Sequence, residues 1–249
     1  MTWLALLAAG AGAGVLAGLL GIGGGFVFVP VLLLLYREAG VAPDAAMPLA
    51  VGTSLAAIVP TSLSSVVAHA RKRNVDWPAF VRLAPGLVFG ALCGTAFAAS
   101  LDGRILERVF GAFLVAVAVQ LLLDIRTAPH RDLPGRAATA AAGGVIGAFS
   151  AMIGIGGGTL TAPYLVWCNR PMLLAVGTAA AAGLPIAVAG ALGFTAAGLV
   201  EWPAALVLGG TAMIAAPLGV RLAHAAPARV LRRAFALLLV AVAVGLLLG

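Results

Sequence analysis

The sequence predicts an all-α polytopic membrane protein made of two inverted repeats, each a glycine-broken helical hairpin followed by three transmembrane helices. Three observations carry that prediction: long uncharged stretches, a duplicated motif register, and a one-sided distribution of basic residues. Of the 249 residues 63% are apolar and 9% charged, against about 45–50% and about 25% in a soluble globular chain. Uncharged stretches cover 1–36, 45–70, 83–101, 109–123, 137–169, 171–200, 202–220 and 234–249, most of them reaching the ~18–20 residues of a bilayer-crossing helix. A soluble core with eight such stretches would have almost no polar surface, and disorder needs the opposite composition.

The repeat is read from residue pairs. Gly21-Ile-Gly-Gly-Gly25 followed by Pro30 returns as Gly154-Ile-Gly-Gly-Gly158 followed by Pro163, an offset of 133. Ala50-Val-Gly-Thr53 returns as Ala175-Val-Gly-Thr178 at an offset of 125, which then carries Val75-Asp-Trp-Pro78 onto Val200-Glu-Trp-Pro203 and Arg104 onto Arg229. The change of offset places a loop eight residues longer in the first copy, around Arg37–Asp44. The chain therefore divides into a first transmembrane repeat (1–125), a polar linker (126–136) and a second transmembrane repeat (137–249).

Each repeat opens on an apolar segment of more than thirty residues, Thr2–Tyr36 and Ala137–Trp167, with the glycine cluster in its middle. A straight helix of that length would span roughly 50 Å at 1.5 Å per residue, well beyond a ~30 Å hydrocarbon core. Adjacent glycines each disfavour helix by ~1 kcal/mol relative to Ala. The expected form is a hairpin broken at the glycines, dipping into the membrane and returning, with Gly21, Pro30, Gly154 and Pro163 as structural hinges. Asp76-Trp-Pro78 and Glu201-Trp-Pro203 read as interfacial helix starts, with Trp at headgroup level and Pro in the first turn.

Charge tests the hairpin. If each long segment crossed once, the fifteen basic residues would divide seven against eight between the two sides. If each returns to its own side, twelve lie on one face and only Arg37, Arg104 and Arg108 on the other, as the positive-inside rule demands. The second repeat is then inverted and both termini face away from the cytoplasm. The net charge of +7 is topology rather than a nucleic-acid footprint. No positively charged region precedes the first apolar run, so a cleaved secretory signal is not expected.

Inverted repeats with interrupted helices characterise secondary transporters, whose sites lie near the midplane. A helix broken inside the membrane leaves N–H donors free at the start of its second piece and points its positive dipole end at the gap. That is an anion site, and glycine lets a ligand approach the backbone. The expected substrate-binding residues are Gly23, Gly24 and Gly25, Gly156, Gly157, Gly158 and Thr159, with Thr53, Ser54 and Thr178 from the helices that follow, each near its helix start. Gly10, Gly14 and Gly18, and Gly86, Gly90 and Gly94, read instead as close helix packing.

No nucleophile–base pair and no metal-ligand spacing is present; Cys93 and Cys168 are isolated, and His69 lies beside the cluster Arg71-Lys-Arg73. Catalytic residues, metals and cofactors are therefore not expected. None of the eight acids lies deep in an apolar segment, which disfavours a carboxylate proton relay.

These residues together resemble the sulfite exporter TauE/SafE family of bacterial membrane permeases. The likeness covers the whole chain: two halves opened by glycine-rich segments ending in proline, Gly-Thr helices, and closing Arg-x-Leu segments at Arg104–Leu106 and Arg229–Leu231. It implies a permease of the bacterial inner (cytoplasmic) membrane that exports small sulfur-containing anions such as sulfite or sulfonates. The expected partners are that small anionic substrate, the lipid bilayer and, in a homo-oligomer, further copies of the chain; nucleic acid is excluded. A passive anion channel and a membrane scaffold without transport activity are the alternative readings.

Overall fold

The computed structural model describes residues 3–20, 25–123, 127–225 and 228–248. They form ten helices: α1 (Trp3–Leu20), α2 (Gly25–Glu38), α3 (Pro43–Arg71), α4 (Trp77–Ser100), α5 (Gly103–Leu122), α6 (Arg136–Met152), α7 (Gly158–Trp167), α8 (Met172–Ala196), α9 (Trp202–Ala225) and α10 (Ala228–Leu248). Among the described residues there is no strand. Five of these helices, α3, α4, α5, α8 and α9, are long and apolar enough to cross a membrane, and α1 and α10 are apolar over shorter stretches. The chain is a multi-pass membrane protein.

Each long opening segment contributes two helices. The second breaks at Ile153–Gly157 between α6 and α7. The first has α1 before Gly21–Gly24 and α2 after them, the four glycine-cluster residues themselves lying outside the described ones. At ten residues, α7 extends roughly 15 Å, about half the hydrocarbon thickness.

The arms of each pair do not pack chiefly on one another. α6 lies along α4 of the first half, and α1 lies along α9 of the second. Glycine makes both contacts possible. A Cβ at Gly86, Gly90 or Gly94 would fall on the backbone of Ala140, Gly144 or Ala148 respectively, so α4 and α6 run parallel. Gly10 and Gly14 meet Leu208 and Ala212 of α9 in the same way. Small residues that let backbones touch are the usual means of joining helices in lipid, where the apolar solvent gives no hydrophobic drive.

The centre is the crossing of α3 and α8, which pass antiparallel: Gly52 meets Phe194, Leu55 meets Gly190, and Ser62 meets Gly183. The first half of α3, from Ala46 to Ile58, is almost wholly buried. A cluster of Phe26, Phe113, Phe149 and Phe235, with ring centroids 5.3–6.0 Å apart, fills the space between α2, α5, α6 and α10.

The eight extra residues of the first half are not a loop, contrary to the sequence expectation. They add a helical turn to the end of α2 and another to the start of α3, compared with α7 and α8. The added turns pack, which is why they are helical. Arg37 Nη2 donates to both carboxylate oxygens of the buried Glu107 at 2.8 and 2.6 Å, and Gly103 of α5 closes on the Asp44 backbone. Asp76 caps α4 by accepting from Ala79 N–H at 3.1 Å, with Trp77 and Pro78 in the first turn, as expected. The linker folds onto the end of α7: His130 and Arg131 N–H both donate to the Trp167 carbonyl, and the Arg131 guanidinium lies 4.0 Å from the Trp167 ring centroid.

Candidate functional site

The break between α6 and α7 is built on two left-handed glycines, Gly154 at φ +75° and Gly157 at φ +72°, a region that residues with a Cβ rarely adopt. Ile155 N–H donates to the Ser150 carbonyl at 3.0 Å and closes the end of α6. In α7 the first N–H to reach an acceptor within its own turn is that of Thr161, which meets the Gly157 carbonyl at 3.0 Å. Among the described residues the N–H groups of Gly158, Thr159 and Leu160, the first-turn donors of this helix, make no backbone hydrogen bond; all three residues are half-buried. They stand at the positive end of its dipole.

The opposing half meets this turn. A Cβ on Gly25, at the start of α2, would lie 2.6 Å from the Gly154 carbonyl oxygen and 2.8 Å from Ile155 Cα. Ser54 Oγ donates to that same Gly154 carbonyl at 3.1 Å. The two interrupted segments therefore touch, at Gly25 and Gly154. Their junction lies against Ile58, midway along α3, and against Gly183, midway along α8, where a Cβ would stand 2.6 Å from the Gly156 carbonyl oxygen. Ile58 and Ile186 cover Gly156 and Gly157, so the junction is closed by apolar side chains.

One residue at the junction was not singled out from sequence. Ser150, in the last turn of α6, is 1% exposed, and among the described residues its Oγ has no hydrogen-bond partner. It lies 3.6 Å from where a Cβ on Gly157 would stand. A buried hydroxyl without a partner costs about 1–3 kcal/mol, and this one faces the turn. The only sequence signal was its place four residues before the glycine cluster.

Thr53 and Thr178 lie elsewhere. Both are fully buried, and both hydroxyls join the two halves. Thr53 Oγ1 accepts from Glu201 N–H at 3.0 Å and from the Tyr36 hydroxyl at 3.1 Å. Thr178 Oγ1 accepts from Asp76 N–H at 2.8 Å and donates to the Leu174 carbonyl at 2.7 Å. The preceding glycines admit the same crossing segments: a Cβ on Gly52 would meet the Leu199 carbonyl, and one on Gly177 the Asn74 carbonyl. Each Gly-Thr pair thus docks the start of the other half's helix. Thr53 is also not near a helix start, because the added turn of α3 puts it in the third turn. Pro30 and Pro163 sit inside α2 and α7; each helix continues, without the bond that proline's missing N–H would have made. Gly21, Gly23 and Gly24 lie outside the described residues.

Thr53→Val should leave the Glu201 N–H and the Tyr36 hydroxyl without their acceptor. At about 1 kcal/mol for each of the two groups, the low end of the usual range, detergent-solubilised protein should melt roughly 4–8 °C lower. Thr53→Ser, which keeps the oxygen, should melt near wild type. Equal melting of Thr53→Val and wild type would show the bond to be dispensable.

The class defined by this architecture is a polytopic helical membrane protein in which the helices that open the two halves meet between crossed central helices. The chain belongs to the sulfite exporter TauE/SafE family, whose model matches residues 6–246. It is 31% identical over 258 residues to a probable membrane transporter protein of Haemophilus influenzae, with 98% of each chain covered. A probable membrane transporter protein of Xylella fastidiosa (strain 9a5c) is 32% identical, covering 91% of this chain and 88% of its own. The probable membrane transporter protein YunE of Bacillus subtilis is 28% identical over 84% of each. No solved structure matches the chain. The protein is a membrane transporter of the cytoplasmic membrane.

Proposed function

We propose that the protein exports small sulfur-containing anions, such as sulfite or organosulfonates, from the cytoplasm, binding them where the interrupted segments meet. The observation that carries this reading is the junction itself. The first-turn amides of Gly158 and Thr159 follow the left-handed Gly157, and the Ser150 hydroxyl, without a partner among the described residues, lies beside that glycine, against the midpoints of α3 and α8. Gly25 and Ser54 of the first half close on the Gly154 carbonyl, Gly183 stands against Gly156, and Thr53 and Thr178 join the two halves. Amides at a helix start suit an oxyanion, and the serine hydroxyl supplies a further donor. The antiparallel passage of α3 against α8 is what an inverted repeat requires, and it supports placing the second half upside down in the bilayer. Ile58 and Ile186 then have to move for an anion to enter, as alternating access demands.

A negative interior drives an anion outward by ~2.3 kcal/mol per charge per 100 mV, so no coupling ion is required. Radiolabelled sulfite loaded into proteoliposomes should leave at a saturable rate that follows an imposed potential. Ser150→Ala should weaken sulfite binding by roughly 10- to 100-fold, the worth of one hydrogen bond to a charged ligand. Strict dependence on a proton gradient would overturn the potential-driven export, non-saturating flux would indicate a channel, and no sulfite flux at all would remove the substrate assignment.

A further inference from the structure

We propose that the outer face of α4, where it meets the start of α6, is a binding site for one anionic phospholipid. Its phosphodiester is held by Arg82 and Arg136, and one acyl chain lies along Pro85–Leu92. Two adjoining grooves make the site. The first, about 710 Å³, is lined by Trp77, Arg82, Arg136 and Ala140 together with Val81 and Pro85. The second, about 580 Å³, shares Val81 and Pro85 and continues past Val88 and Phe89 to Leu92 with an apolar lining. A charged mouth thus opens into an apolar track. From Arg82 to Leu92 the track runs roughly 15 Å along the helix, about half the ~30 Å hydrocarbon core and so one leaflet deep. Val81 and Phe89 are 64% and 71% exposed, and among the described residues nothing else in the chain covers them.

The charge is available for a ligand. Among the described residues neither guanidinium has a carboxylate within 4 Å. The acid nearest on α4, Asp76, is engaged by Arg170 Nε at 3.3 Å and by its own helix cap. Because α4 and α6 are parallel, both arginines stand at the same end, beside Trp77, the residue type that marks headgroup level. The start of α6, whose cap Gly135 offers no side-chain acceptor, adds its dipole to the same mouth.

Duplication supplies an internal comparison. The equivalent surface, α9 with α1, keeps the exposed apolar residues: Trp202 at the position of Trp77, Leu206 at that of Val81, and Trp3 at that of Arg136. At the position of Arg82 it has Val207. The apolar track is present twice and the cationic pair once. Under the proposed inversion, the charged copy faces the cytoplasmic leaflet, whose anionic lipids attract basic residues. A second copy of the chain fits less well, since a twofold axis along the membrane normal would gather four guanidinium groups at one level.

Native mass spectrometry of the full-length protein in detergent, titrated with phosphatidylglycerol and with phosphatidylcholine of identical chains, tests the site. Wild type should retain phosphatidylglycerol about 10- to 30-fold more tightly, as expected for two arginines near a headgroup. Arg82→Gln with Arg136→Gln should bring the two lipids to parity, Arg82→Lys with Arg136→Lys should keep most of the preference, and Trp3→Ala on the twin surface should leave it unchanged. Millimolar inorganic phosphate should not displace the bound lipid. Parity in wild type, an undiminished preference in the double Gln variant, or displacement by phosphate would overturn the proposal. So would a lipid-free dimer that dissociates on the double Gln change, which would assign the face to a second copy. Sulfite flux plays no part in this readout, so a failure of the transport reading and a failure of this one are separately visible.

Discussion

Gly14→Val should lower the melting temperature by roughly 6–12 °C, whereas Gly12→Val, two residues away on the same helix, should change it by no more than about 2 °C. The two glycines are alike in sequence and differ in what faces them. A Cβ on Gly14 would stand 2.6 Å from Ala212 Cα and closer still to the Ala212 carbonyl, while one on Gly12 meets nothing within 4 Å. Backbone cannot swing aside as a side chain can. Val at position 14 therefore has to push α1 off α9 along the contact that Gly10 and Gly14 create together. Overpacking a tight contact costs about 1–3 kcal/mol or more, and helix association in lipid rests on that close packing. Thermal unfolding of both variants in one detergent is the measurement. Equal stability of the two would mean that α1 is not held by α9.

Gly157→Val should abolish sulfite binding, by a hundredfold or more in affinity, while the protein still folds. At φ +72° a β-branched residue is strained by about 1–3 kcal/mol. The added atoms would also strike Ile186 Cδ1, the movable end of a flexible side chain, so the fold yields there rather than fails. Relief comes when the turn returns to negative φ, and that rotates the first-turn amides of α7 away from Ser150. Losing two hydrogen bonds to a charged ligand, at about 1.5–3 kcal/mol each, corresponds to at least a hundredfold. Isothermal titration with sulfite measures the affinity, and circular dichroism checks the fold. Unchanged affinity in a folded variant would return Gly157 to a packing role.

Much of the helical architecture was readable because membrane constraints are written in composition. Uncharged length located the spans, and consecutive glycines located the break at 153–157, since neither a helix nor a packing face needs several in a row. What the sequence hid was which backbone crosses which. Gly52-Thr53 and Gly177-Thr178 were visible as a repeated pair beside the hairpins, but spacing along a chain does not reveal that the opposite half's helix start lies across them. A buried hydroxyl satisfies an amide and an anion equally well, so residue type alone did not separate a bond between halves from a ligand contact. The eight added residues around Arg37–Asp44 read as a loop because the repeat offset changes there from 133 to 125. They became helix because Arg37 found Glu107, seventy positions away. Ser150 escaped notice because one serine in an apolar helix ordinarily bonds its own preceding turn.

The crossed partnership of α1 with α9 and α6 with α4 has a consequence for biosynthesis. The first helix leaves the ribosome about two hundred residues before its groove exists. At ~5–20 residues per second it spends some tens of seconds in the bilayer with Gly10 and Gly14 facing lipid or an insertion chaperone. Completion of the molecule is thus timed by the emergence of Trp202 and the helix behind it, and a chain halted earlier carries an unclaimed N-terminal span.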